Sequence, residues 1–367
     1  MQYPTIADIV DLFNDFAPFA VQESYDNSGL IYGNLQNSVK QVLLSLDCTE
    51  AVVDEAIVRK CELVVAHHPI LFRPIKSLTG KNYVERTILK AIKNDIGILA
   101  VHTNADNVFQ GVNNLICKKL GLNQLQILAP KKQLLYKLEF YVPPTHTEQV
   151  LNALFKAGAG NIGQYAECSF KVNGVGTFKP GEASNPYSGV IGQRSSEAEE
   201  KVEMIFPAHL ESKVLSALKK AHPYEEVAYF LVHVENTWQD VGSGMIGTLP
   251  SAMLWGDFVE YLKQHLELNH IRHTHILNQP IQKVAVCGGS GSFLTQAAIK
   301  SGAQVYITSD VKYHEFFDAD NSIIIIDIGH HESEKYTPQL FQSVLNQNFP
   351  NIAALFSETR TNPVIYS

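Results

Sequence analysis

Glu62-Leu-Val-Val-Ala-His-His-Pro69 is the stretch on which the fold turns. Glu62 to Ala66 (ELVVA) read as a short strand, its apolar run without polar alternation marking burial on both faces. Two imidazoles follow at once, where such a strand would end. The same grammar extends outward. Residues 41–46 (QVLLSL) and 96–101 (IGILAV) are further apolar strands. Between them, 49–60 and 84–93 read as helices, the first capped by Thr49. Upstream, Thr5-Ile-Ala-Asp8 has the form of a capping box, and Ile9, Val10, Phe13 and Phe16 fall on one helical face. Near the C-terminus the rhythm returns, with strands at 283–287 (KVAVC), 304–307 (QVYI), 322–327 (SIIIID) and 352–356 and helices at 292–301 and 337–346. Apolar strands alternating with helices predict an α/β fold of mostly parallel sheets covered by helices.

The middle of the chain obeys a different rule. Lys137-Leu-Glu-Phe-Tyr-Val-Pro143 matches Lys201-Val-Glu-Met-Ile-Phe-Pro207, and the likeness continues through Val150-Leu151 and Val214-Leu215 to Lys156-Ala157 and Lys220-Ala221. Each copy reads strand, helix, strand. A duplicated βαβ unit predicts a ferredoxin-like α+β domain inserted at 127–238. Residues 1–126 and 239–367 then make one discontinuous domain.

The 367 residues are 45% hydrophobic and 18% charged, enough apolar material for two cores. With 29 basic against 37 acidic residues the net charge is −8, which disfavours a general grip on nucleic-acid phosphates. Cys48, Cys61, Cys117, Cys168 and Cys287 include no C-x-x-C pair, so neither a disulfide framework nor a cysteine-ligated zinc is expected. The acidic, amphipathic start is unlike a signal peptide, and no apolar run approaches the roughly 20 residues of a membrane span. A cytoplasmic protein is expected.

Candidate site residues follow from what stands at the strand ends. His67 and His68 end one strand; His102, Asn104 and Asp106 end the next; Ser309, Asp310 and His314 follow 304–307; His330, His331 and Glu334 follow 322–327. In open α/β sheets ligands bind outside the carboxyl ends of the strands, so these groups converge on one edge. His330 and Glu334 are spaced i, i+4, as are His102 and Asp106, and share a face if a helical turn begins there. Adjacent His67 and His68 can each feed a separate ion. Imidazole plus carboxylate suits zinc, manganese or iron rather than calcium, and a shared carboxylate such as Glu334 suits two ions roughly 3.5–4 Å apart. Singly, each signal has a plain structural reading, as packing, helix-surface pair or helix cap. Their coincidence points to a metal site of His67, His68, Asp106, His330 and Glu334. His102 reads equally as ligand support or core packing. Asp310 and His314 are candidate proton relays. The cluster Gly288-Gly-Ser-Gly291 lacks the spacing of a dinucleotide fingerprint and the lysine of a Walker loop, and reads more simply as a tight turn than as a phosphate cradle. His222-Pro-Tyr-Glu-Glu226 fits a turn or a second small-molecule surface.

Tyr25-Asp-Asn-Ser-Gly-Leu30, Ser45-Leu-Asp47, Ala66-His-His-Pro69, His102-Thr-Asn-Ala-Asp106 and Gly329-His330 through Glu334 together carry a family resemblance over nearly the whole chain. The chain resembles the dinuclear metal-centre proteins named GTP cyclohydrolase 1 type 2 homologs, relatives of the yeast Ngg-interacting factor, in their long form with a PII/CutA-like insert. The resemblance implies two divalent ions per subunit, zinc first, with iron or manganese as alternatives. His67 and His330 would hold one ion, His68 and Asp106 the other, and Glu334 both. It also implies a toroidal homohexamer whose metal sites face an internal cavity. Tyr25, Ser28, Met245 and Ser309 depart from the family pattern, which has Trp, Val, Arg and Gly there; loss of that Arg bears on recognition of an anionic substrate. Two functions are compatible with this reading. One is a metal-dependent hydrolase acting on a nucleotide or phosphoester-like small molecule. The other is a non-enzymatic, metal-braced hexamer that senses a ligand through its PII-like insert. Neither involves a membrane, and the acidic balance counts against DNA as a partner.

Overall fold

The structure is a computed structural model in which residues 3–365 are described. The chain divides into two compact units, residues 1–129 with 241–367 and residues 130–240. Among the described residues no helix is long and apolar enough to cross a membrane.

The first unit contains two sheets. One has five strands in the order Gly29–Tyr32, Gly97–Ala100, Leu63–Ala66, Gln41–Ser45, Ala353–Phe356. The last four are parallel, and Gly29–Tyr32 pairs antiparallel at one edge. The other sheet has six strands, with Ile281–Ser290, Val305–Ser309 and Ile324–Asp327 parallel at its centre and antiparallel neighbours flanking them. Leu63–Ala66, Gly97–Ala100, Val305–Ser309 and Ile324–Asp327 are buried at every position, as strands without polar alternation should be when helices cover both faces.

Local chemistry sets the helix starts. Thr5 and Asp8 form the reciprocal capping box of helix Ile6–Phe16, Thr49 caps Glu50–Val58, and Asn82 caps Tyr83–Lys93. Phe13 of the first helix meets Phe341 of helix Thr337–Asn348 edge to face, ring centroids 5.4 Å apart. Gly111 permits the helix Val112–Lys119 to begin directly behind the short helix Thr103–Asn107; a Cβ there would lie 1.7 Å from the Ala105 carbonyl oxygen. That close approach seats the backbone beside Asp106.

The second unit is one antiparallel sheet in the order Phe170–Phe178, Ser195–Pro207, Leu135–Val142, Tyr229–Val234. The two strands that are copies of one another in sequence lie side by side, Glu139 opposite Glu203. Helices Thr147–Lys156 and Glu211–Ala221 accompany the sheet, and Leu138, Phe140, Val150, Leu154, Val202, Phe206, Val214 and Leu218 form a core of buried side chains. The opposite face carries Lys137, Glu139, Lys201 and Glu203, ion-paired across the strands.

Candidate metal centre

The parallel strands of both sheets end at one cavity of about 920 Å³, whose wall includes His68, His102, Asp106, Asp310, His330 and Glu334. His67 lies just beneath this surface and is fully buried. Two short helices aim the remaining donors. Thr103–Asn107 carries Asp106, and His330–Glu334 stacks its first and last residues on one face, so that His330 Nε2 lies 3.1 Å from Glu334 Oε2.

Each imidazole is oriented from outside by an acceptor on Nδ1. His67 Nδ1 donates to the Val101 carbonyl oxygen at 2.9 Å, His68 Nδ1 pairs with Asp47 Oδ1 at 2.8 Å, and His330 Nδ1 pairs with Asp310 Oδ2 at 2.6 Å. A carbonyl only accepts, so the neutral His67 ring carries its proton on Nδ1 and turns the Nε2 lone pair inward. His68 Nε2 and His330 Nε2 are 3.3 Å apart, and His68 Nε2 is 3.0 Å from Glu334 Oε2. On the other side of the same carboxylate, Glu334 Oε1 is 3.7 Å from His67 Nε2, which is 3.6 Å from Asp106 Oδ1.

Two groups that could each hold a cation result: His68, His330 and Glu334, and His67, Asp106 and Glu334. All five residues singled out from the sequence come together, and Glu334 is common to both groups. The division differs from the one the resemblance implies, because His68 faces His330 and His67 faces Asp106. His102 joins His67 and His68 in a third group, with its Nδ1 held by Asp26 at 2.8 Å.

The residues fit a cation on three counts. His67 Nε2 and Asp106 Oδ1 are buried with no hydrogen-bond partner, a costly arrangement unless something binds both. Gly289 cradles the Glu334 carboxylate that both groups share; a Cβ there would lie 2.4 Å from Glu334 Oε1. The donor chemistry, imidazole nitrogen and carboxylate oxygen with second partners outside, is that of first-row divalent metals. Protons fill the same role in the cation-free protein. Burial opposes a charge on His68, but the hydrogen bonds and charges of Asp47 and Glu334 prevail and hold it up at about 10. His330 is likewise held at about 9 against burial, by Glu334 first and Asp310 second. Burial, aided by the charge of Glu334, raises Asp106 to about 7. Burial opposes a charge on Glu334, but the hydrogen bonds of His330 and His68 prevail and hold it well below the usual range.

The glycine-rich segment serves this centre. The Gly288 N–H donates to Asn113 Oδ1 and the Gly289 N–H to Ser333 Oγ, both at 2.9 Å, so these donors are committed and the tight-turn reading accounts for them. Asn113 also donates to the Asp106 carbonyl, clamping the Asp106 backbone to the strand end. Replacing Gly289 with alanine is expected to weaken cation binding about 10–100-fold. The added methyl displaces the Glu334 carboxylate, and the φ of +64° costs a further ~1–2 kcal/mol in stability. Chelator competition and a thermal melt measure the two effects separately.

Of the two proton-relay candidates, the structure brings in only Asp310. It adopts a left-handed φ of +55°, and its carboxylate meets His330. His314 packs its ring against Tyr313 and Phe317 and does not line the cavity. His222 is engaged within the second unit, where its Nε2 donates to the Tyr141 carbonyl and its Nδ1 accepts from the Tyr224 N–H. Three supporting carboxylates were given no role from the sequence, although Asp26 and Asp47 stand in stretches that carry the family resemblance. Asp47 directly follows an apolar strand, a signal of the kind that exposed His67. Asp26 lies in a loop with no such marker. Asp327 ends the run SIIIID and is buried, accepting from the Val311 and Gly329 N–H groups at 3.0 Å and from Arg272.

A profile of the Duf34/NIF3 family (NGG1p interacting factor 3) matches residues 4–363. The chain is 38% identical over 364 residues to the "GTP cyclohydrolase 1 type 2 homolog" of Bacillus subtilis, covering 98% of this chain and 97% of that one. It is 42% identical over 324 residues to the protein of the same name from Halalkalibacterium halodurans, covering 88% and 87%. A crystal structure of a Bacillus cereus protein related to NIF3 superposes with a TM-score of 0.87 at 38% identity, over 100% of both chains. With its donors gathered at the strand ends and its whole length matched, the chain belongs to the Duf34/NIF3 family.

Proposed function

We propose that the protein is a metal-dependent hydrolase acting on a nucleotide or phosphoester-like small molecule, with one divalent cation held by His68, His330 and Glu334 and a second by His67, Asp106 and Glu334. The observation that carries this reading is the pair of orphaned donors, His67 Nε2 and Asp106 Oδ1, placed against a shared carboxylate at a cavity large enough for a small molecule. When bound, such cations supply Lewis acidity and lower the pKa of water toward neutrality. Zinc suits the donors best, with iron or manganese as alternatives. The protein's own groups do the rest. Val101, Asp47 and Asp310 fix the three imidazoles, so no reorientation is needed during turnover. Asp310, half exposed, accepts a hydrogen bond from His330 Nδ1 and links the centre to solvent, the place of a proton relay. Hydrolytic opening of a nucleotide ring, suggested by the names of the relatives, belongs to this chemistry.

Turnover of a panel of nucleotides and phosphoesters by protein loaded with zinc, manganese or iron tests the reading. At least one substrate is expected to turn over and to lose all detectable turnover in the His67→Ala/Glu334→Ala variant. Activity that survives in that variant would refute the mechanism.

A second reading draws on the other unit. Its strand–helix–strand, strand–helix–strand order and its strand arrangement support a ferredoxin-like, PII-related module. Exposed Phe170, Val172, Phe230 and Val232 give it an unburied apolar surface. In this reading the cations brace a toroidal homohexamer and the module binds a ligand. Size-exclusion chromatography with and without chelator separates the two: loss of the hexamer without any turnover favours the second.

A further inference from the structure

The mouth of the metal cavity is aromatic. Tyr25, Phe72, Tyr83 and Phe293 all line it, and they are 68%, 51%, 61% and 68% exposed. Phe72 stands edge-on to His102, ring centroids 5.6 Å apart, so the apolar wall runs directly into the donor cluster. Aromatic side chains bury large areas when they find a partner, and four left open around one cavity mark a surface built to be covered. The charge of the same wall limits what can cover it. Glu23, Asp47, Asp106, Asp310, Asp327, Glu332 and Glu334 line the cavity, against Arg272 as the one lysine or arginine among the described residues. Arg272 is already engaged by Asp327. Met245, where the resemblance leads one to expect an arginine, is fully buried in its strand and adds no charge to the wall. Even with two divalent cations in place, carboxylates outnumber positive charges, so phosphates beyond the first would meet repulsion.

We propose that the ligand of this site carries a planar aromatic ring seated against Tyr25, Phe72, Tyr83 and Phe293, and no more than one phosphate, whose oxygens face the donor cluster. An aryl phosphate or a nucleoside monophosphate has this form; a nucleoside triphosphate does not. The inference rests on the reading of the centre as a metal-dependent hydrolase and narrows its substrate class.

The test is calorimetric binding to zinc-loaded full-length protein, with free metal removed. Phenyl phosphate is expected to bind about tenfold or more tighter than methyl phosphate, since a stacked ring contributes that much at an aromatic platform. Guanosine monophosphate is expected to bind at least as tightly as the triphosphate. The Phe72→Leu/Phe293→Leu variant, changed only at exposed positions, is expected to lose the preference for phenyl over methyl. Equal, zinc-dependent binding of phenyl and methyl phosphate would overturn the ring assignment while leaving the hydrolase reading intact. Tighter triphosphate binding would overturn the limit on charge. Failure of every phosphoester to bind zinc-loaded protein would overturn both readings. A lower oligomeric mass of the double variant would assign the aromatic mouth to contacts between copies, and would overturn this proposal alone.

Discussion

Glu334→Ala is expected to abolish tight binding of both cations, not one. Glu334 is 2% exposed, and its two oxygens face different donor groups, Oε2 toward His68 and His330 and Oε1 toward His67. Removing a partner that only orients a ligand typically costs 10–100-fold in affinity. Removing the carboxylate shared by two groups should exceed that for each. Asp47→Ala provides the comparison. It takes away the acceptor on His68 Nδ1, with a hydrogen bond to Thr361, and should weaken the His68–His330 group within the 10–100-fold range while sparing the His67–Asp106 group. Metal content after dialysis against graded chelator gives both answers. A Glu334→Ala protein that keeps one cation at wild-type affinity would show that the carboxylate is not shared.

The second large effect is on pH. His68 and His330 hold protons up to about 10 and about 9 in the cation-free protein, and a cation must displace both to bind that group. Affinity there should therefore rise about 100-fold per pH unit between about pH 7 and 9, more gently to about 10, and level off above. At the His67–Asp106 group the cation displaces a proton from Asp106 instead, so affinity there should fall as pH drops below about 7. The same shifts act on the stability of the cation-free chain with the opposite sign. Imidazoles whose folded pKa is raised stabilise the fold fully below the unfolded value near 6.5, and this contribution is lost as pH rises through 9 and 10. The cation-loaded protein has exchanged those protons for metal and should not show the loss. Titration calorimetry in buffers of different ionisation enthalpy counts the protons released. A release near zero at pH 7.5 would contradict the assignment.

How far the sequence foretold this structure depends on what each signal encodes. Burial on both faces is written into LVVA, GILA and IIID as unbroken apolar runs, so the covered parallel strands were legible, and with them the edge on which the polar residues gather. The five donors were legible because each follows such a strand directly or stands four residues from a histidine that does. The division of donors between cations was not. It depends on which way each ring turns, and that is set by distant acceptors: Val101 for His67, Asp47 for His68, Asp310 for His330. The outer strand Asn123–Lys132 and its neighbour Thr237–Met253 carry proline, glycine and polar residues and have no clear period, since their burial comes from the strands they pair with. Asp327 ends an apolar run and looks destined for solvent. It is buried because two backbone N–H groups and Arg272 satisfy it, a fact of tertiary structure alone.

The central claim is that two cations share Glu334 between a His68–His330 group and a His67–Asp106 group. Anomalous diffraction from crystals of zinc-loaded protein, recorded on both sides of the zinc edge, tests it most directly. Two peaks are predicted, one within reach of His68 Nε2 and His330 Nε2, the other between His67 Nε2 and Asp106 Oδ1, with Glu334 touching both. A single peak, or zinc held elsewhere while His67 Nε2 and Asp106 Oδ1 stay without a partner, would contradict the account.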